Sequence, residues 1–187
     1  MRYITANTSK IALILRGVPG SGKSTLLSKL PGVVSFSTDT KHIENGQYVF
    51  KPHKLREFHT QNLAEFTKAA EQGVPLIAVD NTNIGYSSYT PYISAARNNG
   101  YQVWAVSFIP GTLEEHARRN VHNVPVDVLE RMTGLFNPET PGADMEFVGA
   151  DPNKLAFEVL AALGSAMRGL DAKGASYVNF TKVRWKN

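Results

Sequence analysis

The chain has 187 residues, of which 42% are hydrophobic and 19% charged, and it has no cysteine. This size and composition indicate one globular domain with its own hydrophobic core. The absence of cysteine excludes disulfides, thiolate catalysis and zinc–sulfur sites, and is typical of a reducing compartment, so we expect a cytoplasmic protein. The longest apolar runs are far shorter than a membrane span, and the first residues lack the pattern of a secretory signal peptide.

The net charge of +4 comes from the end of the chain. Residues 1–167 hold 15 Lys or Arg and 15 Asp or Glu, whereas residues 168–187 hold five cations and one acid. This basic tail, 168–187, has two interpretations. It is a contact for a polyanion such as nucleic acid, or it is a solvated end that keeps the protein soluble.

Segments typical of strands and helices alternate along the chain. Short apolar runs predict strands at 11–16, 33–37, 74–80 and 101–108. Patterns with capping residues predict helices at 24–30, 54–72, 87–99, 112–120, 125–135 and 152–167. Residues 48–50 are expected in a small hairpin or extended arm, and 177–180 with 183–185 in a last strand. The alternation predicts a three-layer α/β fold, in which helices cover both faces of a mostly parallel sheet.

Residues 17–25 fit the phosphate-binding pattern G-x-x-x-x-G-K-[ST], placed between a predicted strand and a predicted helix. Its glycines allow backbone N–H groups to surround a triphosphate, and the helix that follows presents its positive end to the phosphates. Lys23 is expected to reach the β- and γ-phosphates, and the Ser24 hydroxyl to bind Mg²⁺. The residues predicted to bind ATP are Gly17, Pro19, Gly20, Ser21, Gly22, Lys23, Ser24 and Thr25.

Two aspartates follow predicted strands, where ligands of open α/β sheets gather. Asp80 ends the strand at 74–80 and is predicted as a second Mg²⁺ ligand; the alternative is an Asx-turn. Asp39 follows the strand at 33–37 and is predicted as the general base that takes the proton of an acceptor hydroxyl. The alternative for Asp39 is a helix N-cap for residues 40–44.

Three further side chains are candidates on the acceptor side. His42 would share the face of Asp39 if the segment is helical, and either contacts the acceptor or lies on the surface. His59 and Asn62 stand at i,i+3 on a long helix, where spacing alone favours a packed, hydrogen-bonded pair.

Residues 111–136 are predicted to form a lid. Arg118 and Arg119 stand at the end of one helix, before Pro125, and cations from a mobile segment can stabilise a phosphoryl group in transfer. The alternative is a solvated charged face. Arg119 is the favoured catalytic and nucleotide-binding residue of this lid.

The ordered set of motifs from residue 11 to residue 136 resembles the polynucleotide-kinase-like branch of P-loop kinases, including its phage members. Its marks are the loop at 17–25, Ser37-Thr38-Asp39, Tyr48-x-Phe50, His59-x-x-Asn62, Asp80-Asn81-Thr82-Asn83, Gly100-Tyr101-x-Val103 and Arg119-Asn120-x-His122-x-Val124-Pro125. The resemblance implies a single P-loop kinase domain over 1–187 that uses ATP and Mg²⁺ on a nucleic-acid hydroxyl, with Asp39 as base, Arg119 in the lid and Asn83 as a further acceptor-side candidate. His42 departs from the arginine of the phage enzymes.

We therefore expect a P-loop phosphotransferase with an alcohol acceptor, and the favoured acceptor is the 5′-OH of a polynucleotide. One alternative is a phage-type DNA kinase acting on a hydroxymethyl pyrimidine within DNA. Another is a kinase of a free nucleoside or other small alcohol. A third is a nucleotide-dependent switch without transfer activity. The sequence leaves the oligomeric state open.

Overall fold

The computed structural model describes residues 10–168. Its strands and helices are β1 Ile11–Arg16, α1 Lys23–Leu27, β2 Val34–Phe36, β3 Ile43–Glu44, β4 Gln47–Tyr48, α2 Leu55–Glu71, β5 Leu76–Asp80, α3 Tyr86–Asn98, β6 Gln102–Phe108, α4 Leu113–Arg119, α5 Val126–Leu135, β7 Met145–Gly149 and α6 Pro152–Arg168. Two short 3-10 turns, Asp39–His42 and Pro52–Lys54, join them. The predicted strands at 177–180 and 183–185, and the basic tail apart from the end of α6, lie outside the described residues.

The central sheet has the strand order β2-β5-β1-β6-β7, and all its pairs are parallel. Its middle strand β1 is buried along its whole length, as expected of a continuous apolar run covered on both faces. Because side chains alternate along a strand, Ile11, Leu13 and Leu15 pack in the core under α1 and α6. Ala12 and Ile14 pack in a second core under α2 and α3. The three-layer α/β prediction is confirmed.

The expected arm at residues 48–50 is a small hairpin of β3 and β4. Its turn, Asn45-Gly46, has φ values of 49° and 80°, which are typical of a two-residue hairpin loop. Strand β7 was not predicted. It lies at the edge of the sheet beside β6, and Met145, Glu146 and Val148 are exposed, so its sequence lacks the apolar run of a buried strand.

Arg16, the last residue of β1, is a buried hub directly before the phosphate-binding loop, and only 1% of its surface is exposed. Its guanidinium lies over the ring of Tyr89, 4.5 Å from the centroid. Burial lowers the pKa of Arg16. The guanidinium donates to acceptors on two separate loops: Asn83 O at 3.0 Å, Ile84 O at 3.2 Å, Pro138 O at 3.3 Å, Glu139 O at 2.7 Å and Thr140 Oγ1 at 2.8 Å. Arg16 therefore ties the segment after β5 to the segment after α5.

Within residues 10–168, no helix is long and apolar enough to cross a membrane.

Candidate active site

The loop between β1 and α1 has the backbone that its glycines predict. Gly20 and Gly22 have φ values of 75° and 98°, in the left-handed region. A Cβ at Gly20 would lie 2.9 Å from the carbonyl oxygen of His116, and one at Gly22 would lie 2.8 Å from the side chain of Pro152. The loop is thus packed between α4 and the start of α6, and no larger residue fits at either position without displacing them.

Lys23 and Ser24 begin α1 and lie beside the end of β5. The Lys23 ammonium donates to the carbonyls of Gly17 and Val18 at 2.9 and 3.2 Å. The Ser24 hydroxyl donates to Oδ2 of Asp80 at 3.3 Å. Burial lowers the pKa of Lys23, and Asp80 opposes that shift. Burial likewise raises the pKa of Asp80, which Lys23 and the Ser24 hydrogen bond oppose. Two opposite charges therefore share a partly desolvated pocket at the loop.

The Ser24 hydroxyl and the Asp80 carboxylate fit Mg²⁺, a hard cation that prefers oxygen ligands. Among residues 10–168, no group of three or more His, Asp or Glu side chains could hold a metal by itself. Mg²⁺ bound with a nucleotide needs only one or two protein oxygens, because phosphates and water complete its shell. Ser24 and Asp80 are the residues that would hold it here.

Asp39 follows β2 and begins the 3-10 turn Asp39–His42. The N-cap position of that turn belongs to Thr38, and no side chain caps it, so the alternative role for Asp39 as N-cap is not what the structure has. The Asp39 side chain is 50% exposed and lines the same cleft as the loop. Its Oδ2 lies 3.6 Å from Nε2 of His122. The Asp39 carboxylate is therefore open to a molecule bound in this cleft.

One cleft of about 1310 Å³ joins these groups. That volume exceeds the usual range for a single small ligand, so donor and acceptor have room together. Its walls come from the phosphate-binding loop, the ends of β2 and β5, the hairpin, the lid and the start of α6. The predicted residues that line it are Pro19, Gly20, Ser21, Gly22, Lys23, Ser24, Thr25, Asp39, His59, Asp80 and Arg119.

Helix α4 places Arg119, the favoured residue of the predicted lid, next to the loop. The helix begins with a capping box in which Thr112 and Glu115 bond to each other's backbone. His116 is buried and accepts from the Gly111 N–H at 2.9 Å, and burial lowers its pKa. The Cβ of Arg119 lies next to Gly20. Arg118 is exposed and does not line the cleft.

Three predicted acceptor-side residues lie in the interior instead of on the cleft wall: His42, Asn62 and Asn83. The histidine is 1% exposed, accepts from the Lys51 N–H at 3.1 Å, and packs against Tyr48, Phe50 and Phe58. Because its neighbours enclose it, His42 is neither a surface residue nor in contact with the acceptor side of the cleft. It supports the hairpin arm from beneath.

Asn62 belongs to a buried hydrogen-bond chain that ends beside Asp39. It donates to the Tyr92 hydroxyl at 3.0 Å, which also accepts from Asn81 at 3.4 Å. Oδ1 of Asn81 accepts from the N–H and the hydroxyl of Thr38, both at 2.9 Å. Asn62 thus turns towards the sheet while His59 faces the cleft, so the two do not form the expected pair.

Asn83 is also structural. Its side chain donates to the Leu15 carbonyl at 2.7 Å, and its φ of 46° turns the chain after β5. The turn brings the Thr82 carbonyl within 2.9 Å of the Gly17 N–H. Asn83 therefore anchors the loop to the end of β5 and does not reach an acceptor.

Two aromatic residues of the hairpin arm, Tyr48 and Phe50, line the cleft without having been given a role from the sequence. Burial raises the pKa of Tyr48 to about 12, and the nearby Asp39 adds to the shift. Phe50 is 56% exposed. The alternation Tyr48-x-Phe50 could have indicated that both rings line one surface, since residues two apart on an extended segment share a face.

Comparison with known proteins agrees with this architecture. The sequence profile of the AAA domain family matches residues 13–138. NEDD4-binding protein 2 of Homo sapiens is 35% identical over 144 residues, covering 71% of this chain and 8% of that protein, so the chain spans only a small part of its relative.

Solved structures share the fold at low identity. A gluconokinase from Sinorhizobium meliloti 1021 has a TM-score of 0.56 at 17% identity, over 90% of this chain and 98% of that one. The Mycobacterium tuberculosis APS kinase in complex with AMPPNP and APS has a TM-score of 0.56 at 16% identity, over 83% and 98%. These likenesses show a P-loop kinase fold.

Proposed function

This chain belongs to the AAA domain family, and on that premise we propose that it is a Mg²⁺- and ATP-dependent kinase of a nucleic-acid hydroxyl, with the polynucleotide 5′-OH as its acceptor. The observation that carries the proposal is the convergence of Lys23, Asp80, Asp39 and Arg119 on one cleft from four different elements. A nucleotide-binding switch does not require a carboxylate such as Asp39, which is half exposed in the same cleft as the phosphate-binding loop. A kinase does, because the acceptor hydroxyl must lose its proton.

The residues divide the work of transfer among them. The loop N–H groups and Lys23 bind the β- and γ-phosphates. Ser24 and Asp80 would hold Mg²⁺, which would neutralise charge on the phosphate oxygens. Asp39 accepts the proton of the acceptor hydroxyl as its oxygen bonds to the γ-phosphorus. The bond from that phosphorus to the β,γ-bridging oxygen breaks, and ADP leaves. Arg119 stabilises the negative charge of the transferring group.

The surroundings of Asp39 support a nucleic-acid acceptor. Phe50 is 56% exposed and lines the cleft, so it offers an aromatic face, and bases stack on such faces without regard to sequence. Lys54 and Arg56 follow in the chain and are cations that suit a phosphate backbone, whereas Lys51 pairs with Glu44. The resemblance of the motifs from 11 to 136 to polynucleotide kinases points the same way.

A second candidate is a small alcohol, either a free nucleoside or another metabolite. It is favoured by the fold shared with gluconokinase and APS kinase. A third acceptor, the hydroxymethyl group of a modified pyrimidine within DNA, fits the replacement of the phage arginine by the buried His42.

An acceptor screen with γ-labelled ATP separates these candidates. The panel holds 5′-OH single strands of DNA and RNA, nicked duplex, DNA with hydroxymethyl pyrimidines, free nucleosides and gluconate. We expect label on 5′-OH strands. Label on small alcohols alone would replace the nucleic-acid acceptor, and no label on any hydroxyl would refute the kinase. Strands blocked by a 5′-phosphate are the matched control, because they lack only the acceptor oxygen.

A further inference from the structure

The lid touches the acceptor side of the cleft through a short turn at residues 120–124, directly after α4. The Asn120 side chain donates to the Val124 carbonyl at 2.7 Å, and Asn123 has a φ of 52°. These features fix the path of the turn and direct His122, at its tip, towards the hairpin. Arg119, three residues earlier, contacts the phosphate-binding loop, so one short segment reaches both halves of the cleft.

His122 meets two residues of the acceptor side. Its ring lies 4.2 Å from that of Tyr48, with 34° between the planes, and its Nε2 lies 3.6 Å from Oδ2 of Asp39. The other ring nitrogen, Nδ1, is buried without a hydrogen-bond partner among the described residues. Among the described residues, the carboxylate closest to the imidazole is that of Asp39, and the carboxylate of Asp80 acts on the same histidine from farther away.

We infer that His122 is a positioning residue for Asp39, which rests on the proposed function. A half-exposed carboxylate on a short turn rotates among several orientations. An N–H directed at Oδ2 selects one of them and leaves Oδ1 for the acceptor hydroxyl. The Tyr48 ring, stacked on the imidazole, holds the histidine in place. At 3.6 Å the contact is longer than a hydrogen bond; catalytic hydrogen bonds are often long in ligand-free structures and tighten in the substrate complex.

Three variants test this role, with His53→Phe as the matched control because His53 is exposed and lies outside the cleft lining. His122→Phe keeps a ring against Tyr48 and removes the N–H; we expect kcat to fall about 10- to 100-fold, the range for a misplaced catalytic group, with KM for the acceptor within about twofold. His122→Gln restores an N–H at a similar reach and recovers about tenfold of that loss. Tyr48→Leu releases the histidine and lowers kcat as His122→Phe does.

The outcomes are separable from those of the proposed function. Three results would overturn the positioning role: a wild-type kcat in His122→Phe, equal losses of kcat in the Phe and Gln variants, or a change in KM alone. In each case, phosphate transfer by the wild type would still support the kinase. If the wild type transfers phosphate to no hydroxyl, the proposed kinase function is refuted, and amide hydrogen exchange still tests the contact between His122 and Asp39. Asp39→Asn then speeds amide exchange at residues 120–124 if the pair holds the turn, and unchanged exchange overturns it.

Discussion

Replacing Arg16 with methionine removes a buried guanidinium and keeps most of the packing of its stem. The side chain donates five hydrogen bonds, to the loops at 83–84 and 138–140. In Arg16→Met the carbonyl oxygens of both loops lose their donor in a region that water reaches poorly. The contact with the Tyr89 ring is also lost.

The magnitude follows from the kind of interaction that is removed. A hydrogen bond to a charged group contributes about 1.5–3 kcal/mol net, and a buried acceptor left unpaired costs about 1–3 kcal/mol. The desolvation cost of the guanidinium is recovered in the variant, so these contributions do not simply add. The groups left unpaired are neutral carbonyl and hydroxyl oxygens, at about 1–3 kcal/mol for each one that water does not reach, and we expect a net loss of about 3–5 kcal/mol in Arg16→Met.

Urea unfolding followed by tryptophan fluorescence measures the change. With a slope of about 2 kcal/mol/M, the urea midpoint falls by about 1.5–2.5 M. Arg97→Met is the control, because Arg97 pairs with Asp144 on the surface, with both side chains about half exposed; its cost is about 0–1 kcal/mol. If Arg16→Met unfolds at the same urea concentration as Arg97→Met, the guanidinium does not hold the two loops together and the reasoning fails.

Three further changes probe the loop, the metal site and the lid. Gly20→Ala forces a Cβ to within 2.9 Å of the His116 carbonyl oxygen. We expect ATP affinity, measured by calorimetry, to fall at least about tenfold. The control is Gly32→Ala, at a φ of 74° in open space, which leaves ATP affinity unchanged. Because burial raises the pKa of Asp80, protons compete with Mg²⁺ at higher pH than at an ordinary aspartate. Mg-ADP affinity should therefore weaken as the pH falls, beginning above the range of an ordinary aspartate, and Asp80→Asn should remove that dependence. Thr112→Ala breaks the capping box and costs about 1 kcal/mol in thermal unfolding, with faster amide exchange in α4. The first prediction is contradicted if Gly20→Ala binds ATP as tightly as the wild type, and the second if the pH dependence survives in Asp80→Asn. The third is contradicted if amide exchange in α4 is unchanged in Thr112→Ala.

The fold was accessible from the sequence where local pattern and burial agree. The apolar run at 11–16 and the glycines of the loop specify a central strand and a turn without help from distant residues. Strand β7 escaped because an edge strand keeps exposed side chains and lacks that pattern. The role of Arg16 was not predicted for another reason. An arginine at a strand end is usually solvated, and the hydrogen-bond acceptors of Arg16 lie 67 to 124 residues away in the sequence.

The site shows the same division. Lys23, Ser24 and Asp80 follow from a motif and from the rule that strand ends gather ligands, and the structure brings them together. His42 was misjudged because polarity does not distinguish a cleft residue from a buried one that has hydrogen-bond partners. Asn62 is buried and hydrogen-bonded, as its spacing favoured, but its partner is Tyr92 and not His59. The contact of His122 with Tyr48 joins residues 74 positions apart, and no spacing rule predicts such a pair.

The central claim is that Asp39 serves as the base of a phosphate transfer, and the most direct test compares wild type with Asp39→Asn in a single assay. Both proteins are incubated with γ-labelled ATP and a 5′-OH oligonucleotide, and ATP affinity is measured in parallel by calorimetry. The account predicts that the wild type labels the oligonucleotide, and that Asp39→Asn binds ATP as tightly while kcat falls about 10²- to 10⁴-fold. Equal transfer by both proteins, or none by the wild type, would contradict it.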